Sequence, residues 1–453
     1  PDSTEYERAI FIGNLLYKKL TPIAVVQPRN TEEVVQIVDL ARTNQIRLTV
    51  KNGGHSYAGY CLNDGGIVLD LGAMKNVRIN EQSTEVTIEA GCIWKDVYAV
   101  LQRKDLANMV VGGQCPTVGV SGFTLGGGCS TFSRSYGLGI DNVIEMTIVT
   151  AAGKVVKVRR DDTSPLKKDL FWALCGGGGG NFGILVEFKS RVHQLSDANG
   201  QVVCGELTWV LDDKEAQRAY LQMMDTFNTH EWPDELTVDA IWRYNENQQL
   251  LGQMTVIYNG DRTQCLEVID PLLKYNPAGG ASDLVEMPWR NWVVVEEGFD
   301  HRSKVYHHHS SFIFGSIPSE LTKRIIKIMQ DSKKLLAGGK GKAHVLWDHI
   351  GGATARVGST DTAFPWRDGL YVANIKVQWN SLDMTKKVID FMDDCRNQLS
   401  PFILKGKAAY INYIDRTLPN WTEAYYDENY PRLQTVKARW DPDEFFRFAQ
   451  SIR

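Results

Sequence analysis

Glycine is the feature that most constrains this chain. Its 40 glycines are uneven, with clusters at 53–59, 112–128 and 176–183. A residue without Cβ lets backbone approach a ligand or adopt positive φ. Three clusters within the first 200 residues predict several loops closing on one large ligand. The run 176–180 is long for an ordinary turn. Ordering so many glycines costs conformational entropy, which a binding role would explain.

Between the clusters, strand and helix patterns alternate. Residues 24–27 read as a strand, and Asn30-Thr31-Glu32-Glu33 starts a helix with Asn30 or Thr31 as cap. Val34, Val35, Ile37, Val38 and Ala41 give it an apolar face. A strand at 47–51 runs into Asn52-Gly53-Gly54-His55. A second unit, strand 85–90 and helix 94–103, runs into Gly112-Gly113-Gln114-Cys115. Residues 142–158 read as two strands around Ala151-Ala152-Gly153, and 182–193 as one long strand.

After about Leu195 glycine thins. Helices are expected at 214–227 and 319–333, among strands at 236–243, 252–258, 304–314, 342–349 and 369–379. That pattern predicts an antiparallel sheet with helices on one face. From about Ala408 a loop-and-helix segment is expected to pack back on the first domain.

Composition excludes several function classes. Fifty Lys and Arg against 54 Asp and Glu give a net charge of −4, so neither a nucleic-acid nor a membrane partner is expected. No apolar run reaches the 18 or so residues of a membrane span. The eight cysteines form no CxxC pair, so no zinc site is expected, and a chain this long does not read as a disulfide scaffold. The glycine run precedes a strand rather than opening a helix, which argues against a dinucleotide fingerprint, and no Lys-Ser/Thr follows to make a P-loop. His307 and His309 share a strand face, yet no further ligand is placed near them, so no metal is expected. Cys115 precedes Pro116 without a helix N-terminus to lower its pKa, which argues against a thiol hydrolase. The chain begins Pro1-Asp2-Ser3-Thr4 without Met and shows no signal peptide, while Asn420-Trp421-Thr422 is an isolated sequon. Compartment is left open between secreted and intracellular.

The motifs gain meaning in combination. They are Gly53-Gly54-His55-Ser56-Tyr57, Cys115-Pro116-Thr117-Val118-Gly119-Val120-Ser121-Gly122 and Gly126-Gly127-Gly128. Tyr136-Gly137-Leu138, Asp141-Asn142 and Asp169-Leu170-Phe171-Trp172-Ala173 follow, then Asn412-Tyr413-Ile414-Asp415 and Gln450-Ser451-Ile452. In this order, over essentially the whole chain, they resemble the berberine-bridge-enzyme-like branch of the vanillyl-alcohol-oxidase flavoproteins, near the oligosaccharide oxidases and 6-hydroxy-D-nicotine-oxidase-like enzymes. The resemblance implies an α+β, two-domain PCMH-type FAD-binding fold. An FAD-binding domain would span 1–197 and a substrate domain of antiparallel sheet plus helices 198–407. A C-terminal segment, 408–453, would return to the FAD domain.

It further implies FAD bonded covalently to His55 through the flavin 8α-methyl and to Cys115 through C6. The residues expected around the cofactor are Asn52, Gly53, Gly54, Ser56, Gly113, Thr117, Val118, Gly119, Gly122, Gly127, Gly128, Asp141, Gly183, Ile184, Val186 and Asn412. Cys129 is a rival thiol outside the Cys-Pro-Thr-Val-Gly pattern. Tyr413 matches the family's active-site tyrosine, and Asp348, in Trp347-Asp348-His349-Ile350-Gly351-Gly352, resembles the aspartate of the sugar oxidases. Val118 resembles the small residue that leaves O₂ room in family oxidases. Tyr57, Asn374, Lys376, Gln378 and His309 are expected on the substrate side, although a solvated Lys376 is an equal alternative. The expected reaction is oxidation of a hydroxyl-bearing carbon. A base takes the proton, hydride passes to flavin N5, and O₂ is reduced to H₂O₂. The partners are thus a small-molecule substrate and O₂, with the chain a monomer. A carbohydrate or small alcohol is the first substrate class. An aromatic, amine or polyketide carbon of secondary metabolism is the second.

Overall fold

Strand alternation and helix caps set the architecture, which a computed structural model describes for residues 3–295 and 305–453. In the glycine-rich half the helix Thr31–Thr43, which follows a short one at Thr4–Ile10, starts at Asn30, whose side chain accepts from Glu33 N at 2.9 Å. It buries Val34, Ile37, Val38 and Ala41. Around it β1 (Ala24–Val26), β2 (Leu48–Lys51) and β3 (Ile67–Asp70) form a parallel sheet in the order β1-β3-β2. A second sheet, antiparallel throughout, joins β4 (Val77–Ile79), β5 (Glu85–Glu89), β7 (Val143–Val149), β8 (Val155–Arg159) and β9 (Ile184–Arg191) in the order β4-β5-β9-β7-β8. The short β6 (Asn108–Met109) and β10 (His193–Gln194) pair separately. The long strand expected at 182–193 is therefore split at Val192.

The second half is a seven-stranded antiparallel sheet. It contains β11 (Gln201–Val210), β12 (Leu236–Tyr244), β13 (Leu250–Tyr258), β14 (Val285–Pro288), β15 (Tyr306–Phe314), β16 (Gly341–His349) and β17 (Tyr371–Trp379). Their order is β14-β11-β13-β12-β16-β17-β15. The strand expected at 304–314 begins at Tyr306, and Lys304 lies outside the described residues. Period two gives this sheet two unlike faces. One presents Trp242, Trp347, Ile375, Val377 and Trp379, all buried. Helices Lys214–Thr229, Ser319–Leu335 and Thr385–Leu399 pack on this side. The other presents Asp239, Asp348, His344, Asn374, Lys376 and His309, held in common register by β12, β16, β17 and β15. A polar face this large is informative in a way an apolar one is not.

Residues beyond Ala408 bond to both halves. Ile313 N donates to Ala408 O at 2.9 Å, and Asn412 Nδ2 to Phe123 O at 2.8 Å. The buried Lys437 ammonium bonds Asn181 O and Asp441 Oδ2, and Ile452 N bonds Asn181 Oδ1. No helix among the described residues is long and apolar enough to cross a membrane.

Candidate active site

The site begins where β2 delivers its glycine loop. Asn52 follows the strand, and its amide bonds Cys92 O and Ser121 Oγ, both at 3.1 Å. A Cβ on Gly53 would lie 2.6 Å from Gly119 N, so the 52–57 and 113–122 loops touch backbone to backbone and only glycine fits. That contact brings His55 beside Cys115. Thr117 Oγ1 lies 3.2 Å from His55 Nε2 and 3.5 Å from Cys115 Sγ, so ring and sulfur are one hydroxyl apart.

Between the halves lies a cavity of about 530 Å³. The wall from the first half includes Asn52, Gly53, Gly54, His55, Ser56, Tyr57, Gly113, Cys115, Val118, Gly119, Gly122, Gly183 and Ile184. The sheet contributes Asp239, Leu346 and Asp348, and the C-terminal segment Asn412 and Tyr413. A Cβ at Gly122 would meet nothing within 4 Å, and one at Gly179 only Leu125 Cδ1 at 3.9 Å. The glycines thus border open space as well as each other.

Other named residues lie off this wall. Asp141 accepts from Leu138 N and forms a bidentate pair with buried Arg367, which ties the 138–142 turn to the second half. Gly128 N donates to Tyr410 OH at 2.8 Å, and Gly127 also lies against the Tyr410 ring. Val186 is a core residue whose carbonyl accepts from Ala90 N. Thr117 acts at one remove, through His55 and Cys115. Asn374, Lys376, Gln378 and His309 stand on the cavity-side sheet face behind Tyr57 and Leu346, not on the cavity wall. Tyr57 stacks on His309 with ring centroids 3.5 Å apart. The solvated alternative for Lys376 fails, because the residue is 3% exposed.

The sheet and the C-terminal segment bring the two candidate catalytic residues together. Tyr413 OH donates to Asp348 Oδ2 at 2.6 Å. Burial raises the Asp348 carboxyl to about 6, against the pull of the Tyr413 bond. Burial, then the Asp348 charge, pushes Tyr413 far above the ordinary phenol range. Tyr57 is raised by burial, then by Asp348 and Cys115. Cys129 also borders the cavity, and burial pushes its thiol up, so it is protonated at neutral pH.

Sequence reasoning missed part of the wall. Gly178 to Gly180 were flagged as a binding run but assigned to no site, and they border the cavity with Asn181. Tyr410 had a signal, its three-residue spacing from Tyr413. Its hydroxyl accepts from Gly128 N, Cys129 N and Asn412 Nδ2, anchoring the tyrosine segment to the glycine loop. Phe446 and Phe448 line the cavity without any local signal.

Comparison with known proteins places this geometry. The family described as FAD binding domain matches residues 22–159, and that described as berberine and berberine like matches 409–453. An uncharacterised FAD-linked oxidoreductase of Bacillus subtilis is 29% identical over 100% of this chain and 95% of its own. Berberine bridge enzyme-like 22 of Arabidopsis thaliana is 26% identical over 97% and 86%. Among solved structures, berberine bridge enzyme from Eschscholzia californica superposes with a TM-score of 0.86 at 24% identity, covering 100% of this chain and 94% of that one. Cofactor domain, sheet and C-terminal segment define an FAD-linked oxidoreductase with the two-domain PCMH-type fold. With an FAD binding domain and a berberine-like C-terminal segment, the chain is similar over nearly its whole length to the berberine-bridge-enzyme-like flavoproteins.

Proposed function

We propose that the protein is an oxidase that removes two electrons and two protons from a hydroxyl-bearing carbon, giving a carbonyl product and H₂O₂. The Tyr413–Asp348 hydrogen bond on the cavity wall, opposite the glycine loops, carries this reading. Tyr413 is held too far above neutral pH to ionise alone. A proton it accepts from a substrate hydroxyl therefore needs an outlet, and the bonded Asp348 carboxylate provides one. Above pH 6 that carboxylate is ionised and can receive the Tyr413 proton. FAD, when bound, would supply the hydride acceptor and the redox chemistry for reducing O₂.

FAD fits the residues present. Two glycine loops leave the space described above, and His55 and Cys115 flank one hydroxyl. Both are proposed as covalent attachment points, with Asn52, Ser56, Val118, Ile184 and Asn412 as further cofactor contacts. Double attachment would let the cavity stay open to a bulky substrate without loss of the cofactor. Val118, half-buried on the wall, favours O₂ access. Denatured protein should stay yellow and carry the mass of one FAD, and His55→Ala and Cys115→Ala should each keep a single link. Flavin that washes out of denatured wild type would remove the attachment.

Two substrate classes compete. Relatives include a grass pollen allergen with glucose dehydrogenase activity and an Arabidopsis monolignol oxidoreductase. A carbohydrate or small alcohol suits the Trp-Asp-x-x-Gly-Gly segment. An aromatic, amine or polyketide carbon is the alternative, since the Tyr and Phe rings of the described cavity wall can stack on a sugar or on an aromatic ring alike. A peroxide assay against oligosaccharides separates them, and robust turnover of cellobiose-like sugars excludes the second.

A further inference from the structure

Strand register sorts the cavity-side face of the large sheet by charge. One rung carries Glu206, Thr255 and Asp239, each paired to the next. Asp348 stands on the same face two residues beyond Leu346, level with Val372. The next rung is neutral: Thr208, Gln253, Ile241, Leu346, Asn374 and Ser311. The third is nitrogenous: Arg243 opposite His344, His344 opposite Lys376, and Lys376 opposite His309. Lys342 follows on β16, opposite Gln378. On these strands the cavity wall is Asp239, Leu346 and Asp348; in the rung beyond Leu346, Arg243 is exposed, as is Lys342 after it, while Lys376 and His309 are buried.

We propose that the substrate carries a carboxylate, seated on the basic rung by Arg243, Lys342 and Lys376, while its carbinol end lies at Tyr413 and Asp348. This rests on the reading of that pair as the oxidation centre. Four residues of β16 separate Asp348 from His344, roughly 13 Å at the backbone. Long side chains shorten the gap to about the length of a disaccharide. Two buried polar atoms on this face have no partner among the described residues, His309 Nδ1 and Asn374 Oδ1; the amide oxygen needs a donor such as a ligand hydroxyl, not the carboxylate itself. Burial, then Lys342, pushes Lys376 down to about 7, and a bound carboxylate would restore its charge. Burial and the neighbouring cations hold His344 at about 3, so it enters as a neutral imidazole. Arg243 and Lys342 are exposed, as a receiving rim requires. Arg243 bonds Gln253, which in turn bonds Glu206, so its guanidinium is anchored with donors to spare.

The test uses holoenzyme and a matched pair of disaccharides, cellobiose and its analogue with glucuronate at the non-reducing end. Calorimetric titration with the methyl glycosides, which are blocked at C1, reads binding alone. The uronate should bind at least tenfold more tightly, and Arg243→Gln, Lys342→Gln and Lys376→Gln should each shrink that preference. The first two positions are exposed and should fold normally. Equal affinity for both glycosides, or a preference that all three variants keep, overturns the carboxylate site. Turnover is read separately, as peroxide from the free sugars. Oxidation of both without preference would leave the oxidase reading standing and remove the inference. A variant-sensitive uronate preference without peroxide would do the reverse.

Discussion

The two faces of the seven-stranded sheet are built from the same strands, yet they do opposite work. On β16, Trp347 turns to the helices and Asp348, one residue on, turns to the cavity. On β17, Ile375 and Val377 alternate with Asn374, Lys376 and Gln378. The apolar face is stabilised by area removed from water and tolerates any well-packed hydrophobe. The polar face carries buried titratable groups that cost stability and are useful only in a defined arrangement. Stability and chemistry are therefore separable by a single residue step, and substitutions on either side should prove it.

The largest effect is expected at the chemical centre. Tyr413→Phe removes the hydroxyl that bonds Asp348 and should slow anaerobic flavin reduction by roughly 10²–10⁴-fold, with the melting temperature little changed. Near-normal reduction would take Tyr413 out of the mechanism. Across the sheet, Trp347→Ala should do the converse. Trp347 is 1% exposed and packs against Trp242 with ring centroids 4.8 Å apart. Its loss should cost about 3–5 kcal/mol in denaturant unfolding while the rate per folded flavin holds. A large rate loss with stability intact would mean that the faces are not independent.

Asp348→Asn sharpens the comparison through pH. With a carboxyl raised to about 6, the wild-type rate should fall as pH drops through that value. The amide cannot titrate, so the variant should lose this acid limb and run roughly 10-fold slower on the plateau. An unchanged profile would make Asp348 structural. The sign for stability is opposite to that of an ordinary paired carboxylate. A folded pKa above the unfolded one means that ionised Asp348 destabilises the fold at neutral pH, so Asp348→Asn should be neutral or stabilising.

How much of this was legible depended on how local the signal was. Leu236, Val238, Ala240 and Trp242 alternate with Thr237, Asp239, Ile241 and Arg243, and β12 was readable from that period alone. β11 was missed although it is ten residues long. Gly205 interrupts its pattern, because a Cβ there would strike Asp283 O at 2.1 Å, a contact no sequence window contains. β3 has only four residues, too few for any period. The helix Arg262–Leu273 was obscured by Pro271 near its end. In the candidate site, motifs singled out His55, Cys115, Asp348 and Tyr413, all of which border the cavity, because each sits in a distinctive local string. The charge order across β12, β16 and β17 was invisible, since it exists only once register is fixed.

The smallest predicted effect concerns what joins the two faces. Asp415 follows Tyr413 by two residues but points to the helix side. Ser310 Oγ donates to it at 2.8 Å, Arg396 of the helix Thr385–Leu399 bonds the same oxygen, and His308 Nε2 lies 3.4 Å from the other. Burial alone would raise this carboxyl, but His308, Arg396 and Thr417 outweigh it and hold the group well below its usual range. A depressed folded pKa stabilises above the unfolded value of about 4, and that contribution is lost as pH falls. Asp415→Asn should therefore cost about 1–3 kcal/mol at pH 7, with the difference from wild type narrowing below pH 4. It should also loosen the tether of the 411–413 turn, so Tyr413 should lose part of its rate without any shift in the acid limb set by Asp348. A variant that loses stability but keeps full kcat would show that the turn is held by Tyr410 and its glycine-loop bonds alone. One that loses kcat out of proportion would show that the apolar side of the sheet also sets the geometry of the polar side.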